Sequence, residues 1–193
     1  FGGILQRDGY AAYDAVARTN QSIDQVSCLA HIRRKFYELT KLLKKNNTGK
    51  SHQALSFIQK LYRGDHLAKE QGATPEERLS LRKKNNFKDN LEKFQAWCDK
   101  SLNQVPPKSG IGSALAYAAK YLPRLRLCIT HGEVELDNNL TENLIRPIAL
   151  GRKNFLFLGG ETGMKSASLF YSLIQTCKAN HMNAYEYLSD LMT

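Results

Sequence analysis

Two acidic residues stand where carboxylates commonly carry out chemistry. Asp8 ends a predicted strand over residues 3–8, and Glu142 lies near the start of a predicted helix. In phosphoryl-transfer nucleases, carboxylates at such positions hold two divalent cations, which activate the attacking water or hydroxyl and stabilise the leaving oxygen. Mg²⁺ prefers oxygen ligands of this kind. A structural interpretation stays open, in which Asp8 caps the following helix and Glu142, three residues after Asn139, completes a capping box.

Other polar residues near these acids could contact phosphate. Arg146, Arg152 and Lys153 closely follow Glu142, and such a cluster beside an acidic site suits a nucleic-acid backbone. A solvated basic turn would have the same sequence. His31 is either a general base or phosphate contact, or a half-buried structural histidine.

Two C-x-x-H patterns, Cys28 to His31 and Cys128 to His131, contain the residue types of a zinc site. About one hundred residues separate them, and both cysteines have apolar neighbours, which is typical of small buried thiols. We therefore favour core cysteines over structural zinc. The wide spacing of the four cysteines and the lack of a signal peptide also disfavour a disulfide framework.

The positive charge is concentrated in the middle of the chain. Residues 31–100 contain 17 basic and 8 acidic side chains, a net charge of +9, out of +10 for all 193 residues. A charge of this size attracts polyanions and favours a nucleic-acid partner. A lysine-rich solvated helical surface is the alternative.

Hydrophobic spacing predicts the elements that position these residues. The N-terminal part combines strands with amphipathic helices, the middle is helical throughout, and the C-terminal part mixes strand and helix. We predict strands over residues 3–8, 25–30 and 154–158, a loop over 159–163, and helices over 10–17, 31–45, much of 51–127, from 138–139 onward, 166–180 and 184–191. A helix start is predicted at residues 74–77, where Pro stands in the first turn and acidic residues lie near the positive end of the helix dipole. Apolar stripes are predicted on three of the helices: Ile32, Phe36, Leu39 and Leu43; Ala54, Phe57, Ile58 and Leu61; and Leu91, Phe94, Trp97 and Cys98. One α/β fold interrupted by an inserted helical domain explains this order best.

Several protein classes are excluded by what the sequence lacks. No stretch approaches the ~20 apolar residues of a membrane helix, and we expect no signal peptide, because the first eight residues resemble the inside of a folded element. No Walker or Rossmann glycine pattern and no serine nucleophile elbow occurs. We expect a cytoplasmic protein with no membrane partner. Since the first residue is not Met, we also expect that the chain is part of something longer.

Several segments, in chain order, resemble the DDE transposases of the IS66 insertion-sequence group. The most specific is LDNNLTENLIRPIALGRKN at residues 136–154, supported by LQRDGYAAYD at 5–14 and CLAHIRRKF at 28–36. The segments YSLIQTCK at 171–178 and YEYL at 185–188 resemble the short element that closes these proteins. Residues 45–125 carry no recognised motif.

The resemblance implies a fold that is α/β but mainly helical: an incomplete RNase H-like core interrupted by an all-α insertion domain. The core's second-acid segment would span residues 1–44, the basic insertion domain 45–130, the third-acid segment 131–168 and a C-terminal helical element 169–193. Asp8 would be the second acid of the catalytic triad and Glu142 the third. Both would bind Mg²⁺, with Mn²⁺ as a possible substitute.

The resemblance also implies a bacterial, nucleoid-associated enzyme that cleaves DNA and joins 3′ hydroxyl ends to target DNA. His31 would be an active-site neighbour. Transposon ends and target DNA would be its partners, and it would act as a homo-oligomer on DNA. The residues expected to contact DNA phosphates are Arg33, Arg34, Arg146, Arg152 and Lys153.

Two departures from the family pattern matter. The first acid should lie on a strand before Phe1, so we expect residues 1–193 alone to be inactive and not to nick transposon-end DNA. Thr141 and Leu144 replace small residues beside Glu142, which affects packing more than charge. A non-catalytic DNA-binding remnant, and an RNase H-like nuclease or resolvase without strand transfer, are the alternative functions.

Overall fold

A computed structural model of the chain describes residues 2–42, 49–151, 154 and 160–193, and within them the protein is mainly helical. The chain divides into two compact units, Phe1–Asn138 and Asn139–Thr193. In order, the elements are β1 (Gly3–Arg7), α1 (Ala11–Thr19), β2 (Ile23–Ser27), α2 (Leu29–Lys41), α3 (Lys50–Glu70), α4 (Pro75–Lys84), α5 (Phe87–Leu102), α6 (Gly110–Tyr121), a 3₁₀ helix (Leu122–Ile129), α7 (Asn139–Gly151), α8 (Glu161–Ala179) and α9 (Ala184–Met192).

The first unit begins with a β–α–β arrangement. β1 and β2 pair in parallel, from Gly3 opposite Ile23 to Arg7 opposite Ser27, with α1 connecting them. The predicted second strand was placed too late, because Cys28 is already the N-cap residue of α2. The amide of Leu29 donates to the carbonyl of a distant residue, Leu136, at 2.8 Å, so this backbone leaves the sheet at Ser27.

One hydrophobic core joins α2 to the helices of the basic middle segment. The predicted apolar stripes on α2, α3 and α5 are confirmed, since most of their members are buried. Aromatic rings form the centre, where Phe57 stacks on Phe94 with ring centroids 5.3 Å apart and Trp97 packs beside both. The largest fully buried apolar side chains are Leu29, Ile32, Phe36, Ile58, Leu61, Phe94, Leu115, Leu122, Leu125 and Leu136.

Local sequence signals fix several helix starts. The predicted start of α4 is confirmed: Thr74 and Glu77 form a reciprocal capping box, and Pro75 occupies the first turn.

The loop predicted for residues 159–163 is wrong for its last three residues, because α8 begins at Glu161. Gly160 is the N-cap residue, and Glu161 stands in the first turn, where the helix dipole favours a negative charge.

The second unit contains α7, α8 and α9, with Pro147 inside α7. Among its described residues only Cys177 is buried. The predicted strand over 154–158 falls largely outside the described residues. No helix in the described part of the chain is both long enough and apolar enough to span a membrane.

Candidate functional site

The site is built at the carboxyl edge of the two parallel strands. Arg7 and Ser27 form the last strand pair, and the Cys28 amide donates to the Arg7 carbonyl at 3.0 Å. Asp8 and Cys28 therefore leave their strands at the same edge. In open α/β sheets this edge is where ligands bind.

Asp8 shapes the turn between β1 and α1. Its Oδ1 accepts a hydrogen bond from the Tyr10 amide at 2.9 Å. Tyr10 is the N-cap residue of α1 and makes no side-chain cap, so Asp8 is not itself the N-cap residue, but it satisfies the amide of that residue. Asp8 is half-buried, and no ion pair in the described part of the chain involves it.

Tyr117 packs closely against the turn that carries Asp8. A Cβ atom at Gly9 would lie 2.7 Å from the Tyr117 hydroxyl, so any larger residue at this position would force the Tyr117 ring to move. Burial raises the pKa of Tyr117 to about 12, and the nearby Tyr121 and Asp8 side chains add to the effect. The Tyr117 hydroxyl is therefore protonated at neutral pH.

A second carboxylate, Asp137, approaches the same edge from far along the chain. The Leu29–Leu136 backbone hydrogen bond holds its segment beside the start of α2, and the Tyr62 hydroxyl donates to Asp137 Oδ2 at 3.0 Å. Burial and the Asp137 charge raise the pKa of Tyr62 well above its usual range. Burial likewise raises the pKa of the Cys28 thiol, and Asp137 contributes to that shift.

Sequence reasoning missed Asp137 and Tyr62 as members of this cluster. Asp137 stands inside the motif at residues 136–154, which could have drawn attention to it. Tyr62 lies 75 residues from Asp137, and no sequence signal connects the two.

The predicted basic residues of the first unit lie on α2. His31 occupies the first turn of α2 and is half-buried, as one of its two interpretations expected. Arg33 and Arg34 are exposed, and the Arg33 guanidinium lies 5.0 Å from the centre of the Tyr37 ring. Asp8, His31, Arg33 and Arg34 thus all belong to the first unit.

The remaining predicted residues belong to the second unit or lie outside the described residues. Glu142 is half-buried in the first turn of α7, and Arg146 is exposed one turn later. Arg152 and Lys153 lie outside the described residues.

The described residues contain no group of three or more His, Cys, Asp or Glu side chains arranged to hold a metal ion. Cys28 and Cys128 are buried free thiols. Burial raises the pKa of Cys128 to about 12, as is typical of a small buried thiol. These observations give no support to the C-x-x-H zinc alternative.

Comparison with known proteins identifies the family. The sequence profile of the Transposase IS66 family matches residues 1–166. The chain belongs to the IS66 transposase family. This match covers both β-strands, the whole helical middle and the helix that carries Glu142.

Relatives of this IS66-family chain occur in Sinorhizobium fredii. It is 34% identical to uncharacterized protein y4qI over its whole length, and 30% identical to uncharacterized proteins y4jD and y4hP, again over its whole length. The chain spans 36% of y4qI, 37% of y4jD and 36% of y4hP, or just over a third of the length of these relatives. A search of solved structures finds no significant match.

Proposed function

We propose that this chain is part of a DDE transposase, in which Asp8 and Glu142 are the second and third acids of the catalytic triad. The observation that carries the proposal is Asp8, which leaves a parallel strand at the sheet edge typical of ligand sites, in a chain of the IS66 family. The first acid would lie in a segment outside residues 1–193. The enzyme would cleave DNA at transposon ends and join the 3′ hydroxyl ends to target DNA.

The donor chemistry of the two acids fits Mg²⁺, with Mn²⁺ as a substitute. Both side chains offer carboxylate oxygens, and Asp8 Oδ2 has no hydrogen-bond partner in the described part of the chain. When bound, the cation supplies activation of the attacking hydroxyl and stabilisation of the leaving oxygen. The Asp8–Tyr10 hydrogen bond orients the carboxylate.

The fold proposal is an RNase H-like core interrupted by a helical insertion. The β–α–β start and the return of residues 136–138 to the strand edge support it. The boundaries at 44/45, 130/131 and 168/169 belong to this proposal. His31 would neighbour the reacting phosphate, and Arg33, Arg34 and Arg146 would bind DNA phosphates, together with Arg152 and Lys153. The enzyme would act as a homo-oligomer on paired DNA ends, in association with the bacterial nucleoid.

Strand transfer by the longest in-frame protein containing this chain tests the proposal. With Mg²⁺ and transposon-end DNA, Asp8→Asn and Glu142→Gln should each lower the rate at least a hundredfold while leaving DNA affinity within about threefold. Asp24→Asn, an exposed carboxylate on β2, is the matched control and should react normally. Undiminished strand transfer in either acid variant would refute the site assignment.

A non-catalytic DNA-binding remnant is the second candidate, and the concentrated +9 charge favours it equally. The same assay separates the two, because a remnant binds DNA but produces no cleaved or joined strands with any divalent cation.

A further inference from the structure

The strongest unassigned feature is a pair of adjoining clefts along α3. The first cleft, about 800 Å³, lies between α2 and α3. The second, about 590 Å³, lies between α3 and the junction of α4 with α5. Lys60, Arg63 and Leu67 line both clefts, so the two clefts adjoin along α3, and together they are called here the α3 groove.

The groove is strongly basic. Its cations are Arg33 from α2, Lys60 and Arg63 from α3, and Lys84 from the last turn of α4. All four are exposed, and no ion pair in the described part of the chain involves any of them. Among the described lining residues, Glu70 is the one carboxylate.

The fold, and not the sequence order alone, creates this row of charges. Lys60 and Arg63 share a face of α3 because they are three residues apart on a helix. Helix packing then sets α2 on one side of α3 and α4 on the other. Exposed cations without ion-pair partners, brought together on one surface, favour contacts with the phosphates of a nucleic-acid strand.

One residue of the α3 groove also contacts the candidate site. Tyr62 lines the first cleft, and the same residue donates a hydrogen bond to Asp137 at the strand edge. A nucleic-acid strand in this part of the α3 groove would therefore lie close to Tyr62 and its partner Asp137.

We propose that the α3 groove binds the phosphodiester backbone of DNA and guides it to the strand edge that carries Asp8. Lys60, Arg63 and Lys84 make the phosphate contacts in the helical middle segment, and Arg33 makes the contact nearest the site. This inference rests on the transposase function proposed above and names the surface through which that enzyme holds its substrate.

Salt-dependent binding by the 193-residue chain tests the groove. The probes are a fluorescently labelled duplex of about 30 base pairs, its separate strand and the corresponding RNA duplex, titrated between roughly 50 and 200 mM KCl. Each phosphate contact contributes about 0.9 to the slope of log K against log salt for duplex DNA. Lys60→Gln, Arg63→Gln and Lys84→Gln combined should lower the slope by about 2–3 and the affinity at least tenfold.

The matched control removes the same charge outside the groove. Lys93, Lys100 and Arg126 are exposed and do not line either cleft, and their combined change to Gln should keep the slope within about 0.5 of the original. Equal losses in both triple variants, or an unchanged slope in the groove variant, would overturn the proposal. Tighter binding of RNA than of either DNA probe would overturn it as well.

A second measurement uses the unaltered chain. Bound duplex should protect Lys60 and Lys84 from chemical acetylation, read by mass spectrometry, and leave Lys93 and Lys100 reactive. Equal protection of all four lysines contradicts the groove.

The strand-transfer assay tests the catalytic assignment independently of the groove. If Asp8→Asn loses strand transfer while the groove variant binds DNA normally, the groove proposal alone is refuted. Lost binding in the groove variant with normal transfer in Asp8→Asn refutes the catalytic assignment alone.

Discussion

The buried guanidinium of Arg82 connects the helical middle segment to the chain that returns to the candidate site. Its Nε and Nη2 bind the two oxygens of buried Asp65 at 2.8 and 3.1 Å. Nη1 donates to the carbonyls of Cys128 and His131, and Nη2 also donates to the carbonyl of Val134, at 2.8, 3.0 and 2.6 Å. Arg82 therefore holds three carbonyls of the segment before residues 136–138, and Arg78 adds a hydrogen bond to the Gly132 carbonyl of the same segment.

We predict that Arg82→Met destabilises the first unit by about 3–5 kcal/mol, because it leaves the Asp65 charge buried without its partner. For a chain of this length, 1 kcal/mol corresponds to about 2–4 °C in Tm, so the expected shift is about 6–20 °C. The double variant Arg82→Met with Asp65→Leu removes both charges. It should recover about 2–3 kcal/mol relative to the sum of the single changes, although the three carbonyls remain unsatisfied.

Urea unfolding followed by Trp97 fluorescence measures these effects. Trp97 is the one tryptophan of the chain and packs against Phe57 and Phe94 in the core of the first unit, so its emission reports that unit. Lys83→Met, an exposed neighbour on α4, is the matched control and should change stability by less than about 0.5 kcal/mol. A loss below about 1 kcal/mol for Arg82→Met, or strict additivity in the double variant, would refute the reasoning.

Three further predictions use the same unfolding assay or simple thiol chemistry. Tyr62→Phe removes the hydrogen bond to Asp137 and should lower the free energy of unfolding by about 0.5–1.5 kcal/mol. Tyr37→Phe is the control and should leave stability unchanged, so equal effects of the two changes would contradict the Tyr62–Asp137 contact. Burial opposes ionisation of Glu135, but its two ion pairs outweigh burial and lower its pKa below the ordinary 4.5. The stabilisation from ionised Glu135 is therefore complete above pH 4.5 and is lost as the pH falls through the lower pKa of this residue in the folded state. Glu135→Gln should be less stable than the original chain by about 0.5–1 kcal/mol at pH 7, and the two stabilities should converge in acid. Burial raises the pKa of Cys98 and Cys128 to about 12, so both should resist an aromatic disulfide reagent at pH 8 until urea unfolds the chain; rapid reaction in the folded state would contradict their burial.

Local sequence patterns predicted the elements with strong local signals. The apolar spacing in α2, α3 and α5 predicted which faces are buried, and Thr74 with Glu77 predicted the start of α4. Errors occurred where a distant partner decides the boundary. β2 ends at Ser27 because the chain then enters α2 and the Leu29 amide bonds to the distant Leu136 carbonyl, a bond that the local pattern does not show.

The candidate site divides in the same way. The sequence by itself determined that Asp8 ends a strand, that Glu142 stands in the first turn of a helix, and that the middle of the chain is basic, since each depends on neighbours within a few residues. Only the tertiary structure decided that Asp137 and Tyr62 join the strand edge, and that cations from α2, α3 and α4 line one groove. The physical reason is that hydrophobic packing and buried pairs such as Arg82 with Asp65 act between residues far apart in sequence, where local periodicity carries no information.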